Sequence, residues 1–277
     1  MATSEREIKE FGFSRSDFDV VRAKLKTLTG INLAQSKDSM VYSRLSRRIR
    51  SLQLSDFKAY LNYLDNNTQE QEEFINALTT NLTSFFRESH HFEYLKKYIA
   101  DANRPLKIWC AASSTGEEPY SIAMTAVEAL GRFDIPVSII ASDIDSKVLA
   151  TASAGMYKIE QLDGLANDKK RQFFHRGKGE NVGKARVVPE LRKLLSFQKL
   201  NLMDDKWALP KDFDIVFCRN VMIYFDKETQ LCILEKIIKH MRRDSLYFAG
   251  HSENFGHVSQ ILTSLGKTIY KPKAGTL

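Results

Sequence analysis

The chain has 277 residues, 43% hydrophobic and 27% charged, enough for a sizeable core in one large domain or two unequal ones. Its apolar runs fall far short of the roughly 20 residues of a membrane span, its polar start MATSEREIKE reads as neither signal nor transit peptide, and Cys110, Cys218 and Cys232 lack metal-type spacing and read as reduced cytosolic thiols. These features exclude a membrane protein, a secreted disulfide scaffold and a disordered tail, while a net charge of +7 (41 Lys+Arg against 34 Asp+Glu) favours an anionic partner.

Residues 1–90 read as helices only, a small all-helical domain with its linker. Ser14 with Asp17 predicts a helix start, Phe18, Val21, Leu25 and Leu28 give its apolar stripe, and Gly30 ends it. A second helix is expected over 37–52. Ser55 is expected to cap a third, bearing Phe57, Tyr60, Leu61 and Leu64, before a fourth with Phe74, Ile75 and Leu78.

Residues 91–277 have a different texture. Strand-like runs at 106–112, 137–145, 197–202, 213–225 and 245–253 alternate with helical stretches, which predicts an α/β domain with a mostly parallel, doubly wound sheet. Within it, residues 173–197 carry Gly177, Gly179 and Gly183 between short β-prone pieces and predict an inserted antiparallel β-subdomain.

Ligands of such sheets bind at the carboxyl ends of the strands, where strand order reverses. The first such loop, AASSTGEEPYS (111–121), has neither a GK[ST] nor a GxGxxG phosphate cradle. Glu117 and Glu118 repel phosphate and attract a cation. Asp143, ending the second strand, is placed to accept hydrogen bonds from ribose hydroxyls. A ribose-bearing cation without phosphate fits this set, and S-adenosylmethionine is one. The same residues also suit plainer roles, the two glutamates complementing the helix dipole and Asp143 capping the next helix.

Five segments carry a resemblance in order along the chain: TTNLTSFFRESHHF (79–92), ASSTGEEPYSIA (112–123), ASDID (141–145), FCRNVMIYFDKETQ (217–230) and FAGHSENF (248–255). Together they resemble the chemotaxis receptor glutamate methyltransferases, the CheR family. The resemblance implies a Rossmann-like S-adenosylmethionine-dependent methyltransferase domain with an inserted β-subdomain, behind a helical domain. It places cofactor contacts on Asn81, Thr83, Arg87, Glu118, Asp143, Asn201, Leu202, Arg219 and Asn220, without ranking Glu118 above Glu117. Asn81 and Thr83 would lie outside the sheet domain, on a linker that closes over the cofactor. Arg87 and Tyr224 are the candidates for the reacting centre.

The implied partner is the helical cytoplasmic bundle of a methyl-accepting chemotaxis receptor, met by a cytoplasmic monomer recruited to membrane-bound receptor arrays. Beside the apolar stripe of the second helix, Arg44, Arg47 and Arg48 are expected to steer and register that acidic bundle. The insert, with Arg176, Lys178, Lys184 and Arg186, resembles family members that tether a receptor's C-terminal peptide along a strand edge. Nucleic acid is not expected, because aromatics do not interleave with the basic residues. No metal is expected either: adjacent His90 and His91 should point apart on a helix, and His251 and His257 lack ligand spacing.

Overall fold

Apolar residues at helical spacing build the first of the chain's two units, Met1–Thr80, around its own core. The computed structural model describes residues 10–273, so the polar start, residues 1–9, lies outside the described residues. Helix α1 (Arg15–Thr29) opens with a reciprocal box in which the Asp17 amide donates to Ser14 Oγ (3.1 Å) and the Ser14 amide to Asp17 Oδ2 (2.8 Å). Gly30, at φ 74°, ends it in the left-handed conformation that glycine adopts without strain. Helix α2 (Asp38–Ser51) buries Val41, Leu45 and Ile49 against α3 (Phe57–Asp65) and α4 (Thr68–Leu78). The cap of α3 is Asp56 rather than Ser55: its Oδ1 accepts from the Ala59 amide at 2.8 Å, and Ser55 donates to the same carboxylate.

The second unit, Asn81–Leu277, begins with an irregular stretch, 81–89, followed by α5 (His90–Asp101). Then come β1 (Leu106–Ala111), α6 (Glu117–Leu130), β2 (Val137–Asp143) and α7 (Ser146–Ala154). A small antiparallel sheet follows, from β3 (Met156–Lys158), β4 (Phe174–Arg176) and β5 (Lys184–Val187), with α8 (Asn167–Phe173) between its first two strands. The chain returns through α9 (Pro189–Arg192), β6 (Leu195–Lys199), β7 (Phe213–Cys218), α10 (Lys227–Ile238) and β8 (Met241–Phe248), and closes with β9 (Leu262–Gly266) and β10 (Ile269–Pro272).

The main sheet runs β6-β2-β1-β7-β8-β10-β9, parallel from β6 to β8, with β10 and β9 antiparallel at one edge. From β1 the chain winds outward through β2 to β6, then restarts at β7, so the order reverses between β1 and β7. Register brings Ala111 beside both Ser142 and Cys218, which sets the loops after β1, β2 and β7 side by side at one end. Ile108, Cys110, Ile139, Ala141, Ile215 and Phe217 bury one face of the sheet with α5 and α6. Trp109 lies among Trp207, Phe213 and His240.

Two expected boundaries move. The inserted sheet spans Met156 to Val187, with β5 central, not 173–197; residues after 188 instead make α9 and enter the main sheet as β6. Strand β3 is three residues long and carries no alternation to announce it. The β9–β10 hairpin has no alternation to announce it: the edge strand β9 is largely exposed, and β10 inside it is four residues ending in Pro272. Among the described residues no helix is long and apolar enough to cross a membrane.

Candidate active site

Backbone strain concentrates where the order of the sheet reverses. Of the nine described non-glycine residues with positive φ, five lie on loops at this end: Phe86, Glu88, Ala112, Ser114 and Asn220. Gly116 closes the first loop at φ +101°, and a Cβ there would stand 2.7 Å from the Tyr157 hydroxyl and 2.9 Å from the Ala152 methyl. Only glycine supplies both the angle and the space.

The acidic pair on this loop divides. Glu117 is 3% exposed and turned inward, accepting from Thr115 Oγ1 (2.6 Å) and Gln161 Nε2 (3.3 Å). Glu118 faces the switch point, with Oε2 2.6 Å from Arg219 Nη1 and Oε1 accepting from the Cys110 thiol at 3.3 Å. Burial pushes the Glu118 carboxyl above its usual value, and the Arg219 charge opposes that rise.

Arg219, on the loop after β7, joins three segments. Besides Glu118, its Nη2 donates to the Arg87 carbonyl (2.7 Å) and pairs with Glu88 Oε2 (3.1 Å), while its side chain is fully buried. Burial alone would raise the Glu88 carboxyl. The Arg219 charge and the His251 amide outweigh it and hold the group below its usual value. Arg87 extends the other way, donating from Nη1 to the Leu82 carbonyl at 3.1 Å. The half-buried Tyr224 sits in a 3-10 turn, Met222–Tyr224, held by Gln230 Nε2 on the carbonyls of Met222 (2.9 Å) and Phe225 (3.1 Å).

Asp143 is 8% exposed, and each carboxylate oxygen accepts one backbone amide: Ser114 on Oδ2 (2.8 Å) and Asp145 on Oδ1 (3.0 Å). Burial pushes its pKa up to about 6, the two amides pulling it down. Its carbonyl accepts the Leu200 amide (2.9 Å), which brings the loop after β6 alongside. There Asn201 folds its Oδ1 onto the Met203 amide (3.0 Å), and Leu202 is buried. The stretch 81–89 is part of this unit rather than a linker outside it. Asn81 Nδ2 donates to Asp145 Oδ2 (2.9 Å), Ser114 Oγ donates to the Asn81 carbonyl (3.1 Å), and the Phe86 amide donates to Ser121 Oγ (2.9 Å). Thr83 is half-buried on that stretch.

Such a site has acceptors for hydroxyls at Asp143, a carboxylate for a cation at Glu118, and two buried polar atoms without partners, Arg219 Nε and Ser113 Oγ. These donors and acceptors fit S-adenosylmethionine. The family model for the CheR methyltransferase SAM binding domain matches residues 81–271, and that for the CheR methyltransferase all-alpha domain matches 16–79. The chain belongs to the CheR methyltransferase family. Chemotaxis protein methyltransferase 2 of Pseudomonas aeruginosa is 54% identical over 267 residues, covering 95% of each chain. The chemotaxis protein methyltransferase of Escherichia coli is 48% identical over 243 residues, 87% of this chain and 85% of that one. As a CheR protein the chain is an S-adenosylmethionine-dependent methyltransferase.

The other residues singled out in this CheR chain are distributed unevenly. In the helical unit, Arg44 donates to the carbonyls of Ala77 (3.0 Å) and Thr79 (2.7 Å), closing the end of α4. Arg48 pairs with the buried Glu70 (2.6 and 3.0 Å) and with Glu73 (3.2 Å). The expected row of three open arginines therefore narrows to the exposed Arg47. On the small sheet Arg176, Lys178, Lys184 and Arg186 are all exposed, with Arg186 Nε donating to the Ala154 carbonyl (3.2 Å).

His90 and His91 do not diverge as expected: their ring centroids are 4.2 Å apart. With Glu88 they bring ligand-type atoms within 4.8 Å of one another. The Glu88 carboxylate of that cluster is paired with Arg219 at 3.1 Å. Glu88 and Glu253 were missed as site residues; both sit inside quoted motifs, and only the fold reveals their partners.

Proposed function

We propose that this enzyme transfers the methyl group to glutamate side chains of chemotaxis receptors, forming methyl esters during sensory adaptation. The observation that carries this reading is the chain Glu118–Arg219–Arg87 at the switch point of the sheet, with Tyr224 on the loop that also supplies Arg219. When bound, S-adenosylmethionine supplies a methyl carbon activated by a sulfonium cation.

Asp143 would accept from the ribose hydroxyls, Glu118 would hold the cationic end, and Asn201, Leu202, Asn220, Asn81 and Thr83 would line the remainder. A substrate glutamate has a pKa of about 4.3 and is ionised at neutral pH, so no strong general base is required. Arg87 holds the incoming carboxylate and the Tyr224 hydroxyl orients it. Their contribution is alignment and removal of water between opposite charges. Too tight a grip by Arg87 would stabilise the ground state and slow attack.

The receptor meets the enzyme as an acidic helical bundle, steered by Arg47. The exposed basic residues of the small sheet support a second contact with a receptor tail peptide, which would raise local concentration without touching the chemistry. The enzyme acts as a cytoplasmic monomer at receptor arrays. Incubation with methyl-labelled cofactor and receptor-enriched membranes should label the receptors, and alkali should release the label as methanol. Label that survives alkali, or moves to nucleic acid, overturns the reading.

A further inference from the structure

Beside the His251 amide that serves Glu88, the segment FAGHSENF contains a carboxylate only 4% exposed, Glu253. Burying a carboxylate is costly unless its lone pairs are satisfied. Here the partners are backbone amides of two different loops. Oε1 accepts from Val221 (2.9 Å) and Met222 (2.8 Å) on the loop after β7, and Oε2 accepts from Gly250 on the turn after β8. One side chain thus pins the second loop to the first.

Sterics tighten the same junction. A Cβ on Gly250 would stand 2.3 Å from Asn220 Nδ2 and 2.8 Å from the Asn220 amide nitrogen, so only glycine lets the loops approach this closely. Asn220 takes a left-handed φ of 59°, which asparagine tolerates better than other non-glycine side chains. From the far side Glu88 Oε1 accepts from the His251 amide (3.1 Å) and lies 3.4 Å from Asn220 Nδ2. The loop lies between two carboxylates, and its next residues form the turn that carries Tyr224.

The chemistry demands a carboxylate. A glutamine has one acceptor oxygen, which can serve Val221 and Met222 or Gly250, but not both. Its amide NH2 must then face a backbone N–H, donor against donor. An aspartate is one methylene short of bridging the loops.

We propose that Glu253, closing on Gly250, is a positioning residue for methyl transfer: it fixes the loop that aims Arg219, Asn220 and Tyr224 at the reacting centre. This rests on the role given to Tyr224 above. The test is the turnover number and receptor KM of Glu253→Gln, alone and combined with Tyr224→Phe, with active sites counted by S-adenosylhomocysteine binding. A purely structural residue would lower the number of binding sites and leave turnover per site unchanged.

The expected result is a roughly ten-fold lower kcat per site at a KM within about two-fold of wild type, as befits a small misplacement of reacting groups. In the Tyr224→Phe background that loss should shrink to about three-fold or less, because the two act as one unit. Wild-type turnover per site, or an equal loss in both backgrounds, overturns the proposal. If Tyr224→Phe alone turns over at the wild-type rate, the assignment of Tyr224 fails, and the clamp stands or falls on Glu253→Gln alone. Should Glu253→Gln not fold, Gly250→Ala, which presses on Asn220 without removing the carboxylate, carries the same comparison with the same outcomes.

Discussion

Arg219 Nη1 lies 2.6 Å from Glu118 Oε2, bridging the loop after β7 to the first turn of α6 across the point where strand order reverses. The arginine side chain is fully buried and that of Glu118 is 12% exposed, so neither charge can be left alone cheaply. Removing one partner of a buried pair typically costs about 3–5 kcal/mol, more than the pair itself contributes. Arg219→Ala is therefore expected to lower stability by about that amount and to weaken S-adenosylhomocysteine binding. Denaturant melts and calorimetry check this. Unfolding at the wild-type midpoint would show that Glu118 finds solvent or another partner.

Asp143 gives a pH dependence whose sign follows from its environment. Burial raises its pKa to about 6 in the folded protein, against about 3.9 unfolded. Its contribution to stability is complete below the unfolded value and is lost as pH rises through about 6. Cofactor affinity should run the opposite way: ribose hydroxyls need an ionised acceptor, so binding weakens toward about ten-fold per pH unit below about pH 6. Calorimetry with S-adenosylhomocysteine between pH 7.5 and 5 (roughly the titration window) checks the slope. Asp143→Asn should bind weakly and show much less pH dependence; an unchanged slope in that variant would assign the titration to another group.

Several local signals in the sequence stand, others such as the Ser55 cap shift by a residue, and relational ones were hidden. The Ser14–Asp17 box, Gly30 and the strand ending at Asp143 follow from rules within a few residues, and all three stand in the fold. The meeting of Glu118 with Arg219 depends on β7 lying beside β1, a long-range pairing that no local pattern reports. For the same reason Arg44 and Arg48 read as an open basic row: their partners, the end of α4 and Glu70, lie a helix or more away in sequence. Glu88 and Glu253 were on the page but mute, since each acts through backbone amides or an arginine from a distant loop. The positive φ of Ala112 and Ser114 was equally invisible, because tertiary contacts hold these residues where their own preference would not.

Arg87 and Tyr224 should differ in how much they matter. On the proposed role of Arg87 as the group that holds the substrate carboxylate, Arg87→Ala is expected to lower kcat/KM by about 100-fold, the scale of losing one aimed electrostatic contact. Tyr224→Phe keeps the ring and its packing, so a loss of about three- to ten-fold is expected. Arg87 also contacts the Leu82 carbonyl, so S-adenosylhomocysteine affinity must be measured beside turnover. Both variants methylating receptor at wild-type rate with intact cofactor binding would remove them from the reacting centre.

Arg44, Arg47 and Arg48 of α2 should separate into structural and docking behaviour. Arg48→Glu leaves Glu70, 3% exposed and also bonded to the Tyr60 hydroxyl at 2.9 Å, facing a like charge. A stability loss of about 3 kcal/mol or more is expected. Arg44→Ala frees two carbonyls at the end of α4 and should cost about 2 kcal/mol. Arg47 is exposed, so Arg47→Glu should leave the melting temperature unchanged. It should raise the receptor KM about three- to ten-fold at low salt, an effect that fades as screening rises. A KM insensitive to Arg47→Glu would remove Arg47 from the substrate contact and, with Arg44 and Arg48 committed within the fold, leave the exposed Arg50 as the one arginine of α2 to test.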